Sequence, residues 1–142
     1  PADWIERATM DCLGMVSLAD RAQAMPDQLS AGMCKRVALA RAFALNARTV
    51  IIDDFDSGLD GVRLSLLCEV LYKIHISTGA TVLLSTHDMT AARKLADRLA
   101  VIYDGRIIAS GDADIVFASP DPLVAQLLTG AVSGPLGLRG SG

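Results

Sequence analysis

Two carboxylates stand where a short apolar run ends, and they open the most reactive stretch of the sequence. Residues 53–60 contain four carboxylates, at Asp53, Asp54, Asp56 and Asp60, with no Lys or Arg among them. A carboxylate next to buried residues is unfavourable unless a cation or hydrogen-bond donors lie nearby. Mg²⁺, held partly through water, suits one or two carboxylates at such a place. An exposed acidic loop in which Asp60 caps the next helix is the alternative, but the apolar run before the loop favours the ion.

Residues 29–33 (Leu-Ser-Ala-Gly-Met) have the composition of a helix start. Ser30 suits an N-cap, and Gly32 allows another backbone to approach closely. Lys35 and Arg36 follow in the first turns, where the helix dipole favours acidic residues instead. Cations there indicate an anion outside the helix, and phosphate is the usual one. Taken alone, an ordinary capped helix with solvated basic residues is the simpler interpretation.

A histidine follows the second buried apolar run, in the sequence Ser-Thr-His-Asp at residues 85–88. His87 could reach a phosphate or a water molecule in the same cleft as Asp53. A structural histidine with a hydrogen-bonded ring is the alternative. His75 has no such surroundings, and the sequence gives it no role.

The elements that must position these residues follow from apolar periodicity. It predicts helices near 3–18, 30–45, 62–77, 88–96 and 123–128, with Leu66 on the inner side of the third. Strands are predicted at 49–52 and 81–84, with the continuous apolar character of parallel strands covered on both faces. A hairpin is predicted over 99–109, turning at Asp104-Gly105. Alternating strands and helices indicate an α/β fold with parallel strands and helical crossovers, whose ligands bind beyond the carboxyl ends of the strands.

Length and composition exclude several classes of protein. The 142 residues suffice for one domain with a core, and 51% hydrophobic against 20% charged residues excludes extensive disorder. No apolar run approaches the ~18 residues of a membrane span. A net charge of −3 argues against binding nucleic acid through a broad basic face. Three cysteines without paired spacing indicate a reducing compartment, each as a small buried residue. The chain begins with Pro1 and shows no signal peptide, so we expect a piece of a longer protein.

The three reactive stretches, in this order and spacing, resemble the nucleotide-binding subunit of ABC transporters. Residues 29–33 resemble its LSGGQ signature motif, 50–53 its Walker B strand, 57–60 its D-loop and His87 its switch histidine. Residues 96–98, 103–105 and 110–111 resemble the C-terminal hairpin of this family, and the resemblance covers about residues 1–130.

The resemblance implies the C-terminal part of a P-loop NTPase domain of the ABC ATPase type. Residues 1–45 would be a helical-subdomain segment with the signature motif, 46–130 the core with a C-terminal hairpin, and 131–142 a flexible tail. The phosphate-binding loop, GxxxxGK[ST], is absent from the sequence, as is the segment with the glutamine loop. Three residues depart from the pattern of the family. Ala31 replaces the first glycine of the signature motif, and a negative φ would permit this change. Asp54 replaces the catalytic Glu, and Phe55 replaces the Pro that usually follows it.

Roles also follow from the resemblance, since in this family two subunits sandwich ATP head to tail. Asp53 would hold Mg²⁺ through water, Asp54 would orient the attacking water, and His87 would touch the γ-phosphate. The residues implied to serve ATP held with the partner subunit are Ser30, Ala31, Gly32, Met33, Ser57 and Asp60. The implied partners are a second ATPase subunit and a membrane permease, which would hold the protein at the cytoplasmic face of the membrane, with no nucleic acid. The isolated chain is expected to bind ATP–Mg²⁺ feebly.

A narrower resemblance is to the ATPases of Mce/Mla-type lipid transporters, most of all the actinobacterial Mce-linked ATPase. It rests on Met33, on residues 56–60 followed by Val62-Arg63, and on the prolines and glycines of 120–135. It implies lipid transport across a cell envelope. Two alternatives remain open. One is a non-transport ABC-type ATPase of DNA repair or chromosome organisation, disfavoured because no sustained heptads occur. The other is a truncated, non-catalytic remnant.

Overall fold

The computed structural model describes residues 2–45 and 47–137, and contact clustering divides the chain into two compact units, Pro1–His87 and Asp88–Gly142. In the first unit the regular elements are α1 (Ala2–Met15), α2 (Ala31–Phe43), β1 (Thr49–Ile52), α3 (Gly61–Thr78) and β2 (Thr81–Leu84). Two short 3₁₀ turns, Ala19–Arg21 and Pro26–Gln28, connect α1 to α2.

The strands β1 and β2 are parallel neighbours, with Thr49 opposite Thr81 and Ile52 opposite Leu84. Both strands have the bounds predicted from the sequence, and α3 is the crossover between them. Parallel neighbours end at the same edge of a sheet, so the residues that follow Ile52 and Leu84 lie side by side.

The crossover helix α3 is fixed at both ends by local chemistry. The carboxylate of Asp60 accepts a hydrogen bond from the amide of Arg63 at 2.9 Å, and Gly79 closes the helix with a φ of 65°. Its buried side chains are Leu64, Leu67, Cys68, Leu71 and Ile74. The prediction that Leu66 lies inside is wrong, because this side chain is on the opposite side of the helix and 56% exposed.

The described residues pack only one face of the parallel sheet, so this part of the chain does not supply the second of the two covered faces that the sequence predicts. Val50 is 5% exposed, whereas its neighbour Ile51 is 73% exposed. Leu83, which pairs with Ile51 across the sheet, is 62% exposed. Successive side chains of a strand point to opposite faces, so Ile51 and Leu83 form an apolar pair on the open face.

The cysteines do not share one environment. Cys68 is buried in α3 as predicted, but Cys34 is exposed and Cys12 only half-buried. Residue type alone predicted burial for all three, and the prediction fails where the helix turns the cysteine away from the buried side.

The second unit consists of α4 (Met89–Leu95), β3 (Arg98–Tyr103), β4 (Arg106–Asp112), α5 (Ala113–Phe117) and α6 (Pro122–Thr129). The two strands are antiparallel, and the predicted hairpin turn is confirmed: Asp104 and Gly105 have φ values of 46° and 70°, as a two-residue type I′ turn requires. The core side chains of this unit are Val101, Val116, Val124 and Leu128. The short helix α5 was not predicted.

A buried amide holds the segment after α6. Gln126 is only 7% exposed. Its side-chain amide donates to the carbonyls of Ala131 and Leu136, and its side-chain oxygen accepts from the amide of Leu136 at 2.7 Å. Of the tail predicted as flexible, residues 131–137 are described and 138–142 lie outside the described residues. Within the described ranges, none of the helices combines the length and apolar character needed to cross a bilayer.

Candidate functional site

The loops after β1 and β2 run alongside each other. The amide of Ser85 donates to the carbonyl of Ile52 at 2.9 Å, which extends the sheet ladder by one bond. The amide of Phe55 then donates to the carbonyl of Ser85 at 3.0 Å. The segment Ser85–His87 therefore lies against the acidic stretch that begins at Asp53.

Asp53 is oriented by a hydroxyl and not by a cation. The Ser85 hydroxyl donates to Oδ1 of Asp53 at 2.6 Å, and the aspartate side chain is exposed. A hydroxyl–carboxylate bond of this length is a strong, charge-assisted one. The donor expected beside this carboxylate is present, and the carboxylate keeps further lone pairs for another ligand.

Asp54 has a left-handed backbone, with φ of 54°. This conformation is disfavoured by about 1 kcal/mol for a residue with a Cβ, although Asp tolerates it better than most. Its amide donates to the Ser85 hydroxyl oxygen at 2.8 Å. One hydroxyl thus accepts from the backbone of Asp54 and donates to the side chain of Asp53, while the Asp54 side chain remains exposed.

The peptide after Asp54 is anchored from two directions. The Phe55 side chain is 2% exposed, so the aromatic ring fixes the loop to the interior. The Lys35 ammonium, from α2, donates to the carbonyls of Asp54 and Phe55, at 3.0 Å each. The loop is thus connected to α2 as well as to the segment after β2.

Asp56 connects the acidic loop to His87. Its Oδ1 accepts from the Thr86 hydroxyl at 2.6 Å and from the amide of His87 at 3.1 Å. Partial burial raises the pKa of Asp56, but these two hydrogen bonds, its own amide and the nearby charge of His87 outweigh that effect and hold the pKa below its ordinary value. Asp56 is therefore a carboxylate at neutral pH, and the His87 side chain is exposed beside it.

The start of α2 is an ordinary capped helix. The Ser30 hydroxyl accepts from the amide of Met33 at 3.3 Å, which confirms the predicted N-cap. Ala31 is the first helical residue, so it has the right-handed backbone that its substitution for Gly requires. Ser30 and Ala31 are exposed, whereas Gly32 and Met33 are half-buried. A Cβ at Gly32 would lie 3.8 Å from the Leu59 side chain, in ordinary contact.

The two cations that follow the N-cap are bound within the chain. Arg36 donates to the carbonyl of Val16 at 2.9 Å, and Lys35 donates to the loop after β1. These contacts within the chain account for the two cations, so their presence does not by itself indicate an anion outside the helix.

The stretch between the acidic loop and α3 has mainly capping contacts. Besides its N-cap bond, Asp60 pairs through Oδ2 with the Arg63 guanidinium at 3.1 Å. Ser57 is exposed, and its amide donates to the carbonyl of Asp54 at 3.3 Å. The prediction that Asp60 caps the next helix is thus confirmed. The side chains of Asp60 and Arg63 are both accessible to solvent, so Asp60 can make a further contact while it caps the helix.

The sequence analysis assigned no role in this site to Asp56, Ser85 or Thr86. It also did not predict that Lys35 contacts the loop after β1. The signal for Ser85 and Thr86 was available, because hydroxyl residues directly after β2 must meet the carboxylates directly after β1 when the strands are parallel. The contact of Lys35 had no such signal, since it joins residues 19 and 20 positions apart through tertiary packing.

Among the described residues, no group of three or more His, Cys, Asp or Glu side chains could form a metal site on its own. A single oriented carboxylate such as Asp53 nevertheless fits Mg²⁺, which keeps several water ligands and takes one or two protein carboxylates. The helix start at Ser30 presents amide groups that suit an anion. The sequence has no glycine-rich phosphate loop that would complete such a site.

Comparisons with known proteins agree with this architecture. The family model described as "AAA domain, putative AbiEii toxin, Type IV TA system" matches residues 14–93. The protein cbiO1 of Clostridium perfringens, part of the ABC transporter complex cbiONQ, has a TM-score of 0.77 at 26% identity, over 91% of this chain and 51% of that one. The dimeric bacterial ABC transporter cassette MJ0796 has a TM-score of 0.68 at 31% identity, over 80% and 49%. These structural neighbours are ABC transporter proteins, so the chain has the fold of part of an ABC cassette.

Curated relatives narrow the class. The probable ribonucleotide transport ATP-binding protein mkl of Mycobacterium tuberculosis is 33% identical over 134 residues, which are 94% of this chain and 37% of mkl. The intermembrane phospholipid transport system ATP-binding protein MlaF of Escherichia coli is 34% identical over 139 residues, 98% of this chain and 52% of MlaF. The chain belongs to the family that this AAA-domain model describes, and its relatives and structural neighbours are ATP-binding proteins of the ABC type. It spans about half or less of the length of these relatives.

Proposed function

We propose that this chain is the part of an ABC ATPase that positions Mg²⁺ and the attacking water, and that the complete assembly uses ATP hydrolysis to drive lipid transport. The observation that carries the proposal is the Ser85 hydroxyl, which orients the Asp53 carboxylate and the Asp54 backbone together at the end of a parallel sheet. Ligands of open α/β sheets bind at this edge.

Asp53 is the proposed Mg²⁺ residue. Its carboxylate is exposed, and a fixed hydroxyl holds one oxygen, so the remaining lone pairs can bind the ion directly or through water. When bound, Mg²⁺ with ATP supplies the charge that stabilises phosphoryl transfer.

Asp54 is the proposed general base for the attacking water, and His87 the proposed contact to the γ-phosphate. The Asp54 carboxylate is exposed directly after the oriented Asp53, and it would accept a proton from the water as the water attacks phosphorus. Aspartate is one methylene shorter than the usual glutamate, so its carboxylate lies about 1 Å or more further from that water. Turnover is therefore expected to be slow.

The start of α2 is the proposed site for the nucleotide of a second ATPase subunit in a head-to-tail dimer. Ser30 and Ala31 are exposed at the N-terminus of a 13-residue helix, where amide groups and the helix dipole favour phosphate. Gly32 and Met33 continue this surface, and Ser57 and Asp60 contribute the D-loop. The dimeric state of MJ0796 supports this arrangement.

The sequence contains no GxxxxGK[ST] motif, so in the proposed assembly a separate stretch of polypeptide supplies the phosphate-binding loop. We propose that this polypeptide packs on the open sheet face at Ile51 and Leu83, which are 73% and 62% exposed. The proposed location is the cytoplasmic face of the membrane, where a permease subunit would hold the protein. The net charge of −3 argues against binding of nucleic acid.

Lipid is the proposed cargo. MlaF is named for intermembrane phospholipid transport, and Met33 with the 56–60 stretch favours the same group. The name of mkl refers to ribonucleotide transport, so similarity alone supports more than one cargo. A non-catalytic partner subunit is the second candidate function, favoured by Asp54 in the place of glutamate and by the missing phosphate loop.

The test is steady-state ATP hydrolysis by the chain assembled with a polypeptide that carries GxxxxGK[ST]. Asp54→Glu is expected to raise kcat, and Asp54→Asn to lower it by about 10²-fold with little change in nucleotide affinity. Asp11→Asn, at an exposed acid of α1, is the matched control and leaves kcat unchanged.

Two results would contradict the assignment. If Asp54→Asn hydrolyses ATP as fast as the native assembly, Asp54 does not activate the water. If ATP drives dimer formation but neither the native protein nor Asp54→Glu hydrolyses it, the non-catalytic function is correct.

A further inference from the structure

Lys35 is the direct side-chain connection from α2 to the loop after β1. It lies in the second turn of α2, five positions after the N-cap Ser30, and is half-buried. Its Nζ donates to the carbonyls of Asp54 and Phe55 at 3.0 Å each. Two of its three donors thus fix two consecutive peptide groups, and charge-assisted bonds of this kind are stronger than neutral ones.

The loop that Lys35 contacts is held in a conformation it would not adopt alone. Asp54 has a positive φ, and such residues persist only where the surroundings determine them from several sides. The Ser85 hydroxyl holds the amide of Asp54, and the buried ring of Phe55 anchors the next residue. The Ser85 hydroxyl thus holds the loop from the segment after β2, and the Phe55 ring holds it from the interior. Lys35 holds it from the helix α2.

The helix that carries Lys35 is the one whose N-terminus is proposed to meet the partner's nucleotide. Lys35 and Ser30 belong to the same two turns, so a displacement of the helix start is also a displacement of Lys35. The helix start also lies close to the residues around the start of α3, since a Cβ added at Gly32 would lie 3.8 Å from the side chains of Leu59 and Arg63. The start of α2 is thus close to both segments that flank residues 56–58.

We propose that Lys35 is a positioning residue that aligns the Asp54 carboxylate and makes this alignment depend on the position of α2. It acts through the carbonyls of Asp54 and Phe55 and does not itself touch nucleotide. The inference rests on the proposed function of Asp54. It adds that binding at the start of α2 controls the geometry of the water-activating loop in the same subunit.

The kinetic test compares Lys35→Met, Lys35→Arg and the control Lys73→Met in the ATPase assembly. Lys73 is an exposed lysine of α3, so its replacement makes the same chemical change away from the loop. Lys35→Met is expected to lower kcat by about 10- to 100-fold, as a misplacement of ~1 Å would, with KM for ATP unchanged within about twofold. Lys35→Arg is expected to restore most of kcat, because a guanidinium also donates to two carbonyls.

A second measurement needs no nucleotide and uses the 142-residue chain itself. Amide hydrogen exchange at Phe55, which donates to the carbonyl of Ser85, reports whether the loop stays closed. Lys35→Met is expected to accelerate this exchange by about tenfold, whereas Lys73→Met leaves it unchanged.

The two measurements separate the inference from the function on which it rests. Native exchange and native kcat in Lys35→Met would overturn the role of Lys35, even if Asp54 proves to be the base. A loss of kcat in Lys73→Met as large as in Lys35→Met would also overturn it, because the effect would then be general. Fast exchange in Lys35→Met with no hydrolysis by any assembly would refute the proposed function but support the loop restraint.

Discussion

The start of α2 and the loop after β1 are both proposed to serve nucleotide, but they are built in different ways. The first is a regular helix start with a single side-chain cap, from Ser30, and exposed residues around it. The second has a left-handed Asp54, a buried Phe55 and partners from two other segments. Its hydrogen bonds to other segments span 19 to 32 positions of sequence, whereas the cap spans three.

This difference shows how one chain can present two kinds of surface to a ligand. A helix start presents aligned amides whatever packs behind it, because its geometry is that of the helix. A water-activating carboxylate needs a defined position, and here tertiary contacts supply it. The loop should therefore be sensitive to distant substitutions, and the helix start only to local ones.

The largest expected effect is on the buried anchor of the loop. Phe55→Ala is expected to lower the free energy of unfolding by about 3–5 kcal/mol, because it removes a ring that is 2% exposed and leaves a cavity. Urea denaturation of the 142-residue chain measures it. Leu83→Ala, on the open sheet face, is the control and should cost less than about 1 kcal/mol. Equal losses in the two variants would mean that Phe55 is no anchor.

An intermediate effect is expected at the helix start. Ser30→Ala removes the hydroxyl that accepts from the amide of Met33 and should lower the free energy of unfolding by about 1 kcal/mol. Ser30→Asp keeps an acceptor and should stay close to the native value. Loss of the cap is expected to fray the first turn but to leave Lys35, in the second turn, on the loop carbonyls, so the exchange rate of the Phe55 amide is expected to be native. Faster exchange there would contradict the separation of the two regions.

The smallest expected effect is a pH dependence at Asp56. Its pKa is below the ordinary value in the folded chain, so its carboxylate stabilises the fold above about pH 4. This contribution is lost as the pH falls through the lowered folded pKa. Asp56→Asn cannot lose it, so the stability difference between native and variant should shrink in acid. A difference that is constant from pH 7 to about pH 3 would refute the role of this carboxylate.

Local signals made much of the fold predictable. Both parallel strands have their predicted bounds, because a short apolar run between polar ends specifies a strand strongly. The Asp104-Gly105 turn and the caps at Ser30 and Asp60 are confirmed because each depends on neighbouring residues. Fold class and family followed from such features taken in order.

What the sequence could not predict depends on contacts between distant segments. Lys35 and Arg36 were read as a sign of an external anion, but carbonyls 19 or 20 positions away accept their bonds. Leu66 and Ile51 are apolar yet exposed. Their burial could not be predicted, because residue type alone does not determine which side of a helix or strand is packed. The left-handed backbone of Asp54 had no local signal, since neither neighbour is Gly or Pro.

The open sheet face has a consequence for the chain in a crowded cell. Within the described ranges β1 and β2 have only each other as sheet neighbours, so each strand keeps an unpaired edge beside the exposed Ile51–Leu83 pair. Unpaired edges with apolar side chains are templates for strand addition between molecules. A chain in which this face stays uncovered is therefore exposed to aggregation through its strand edges.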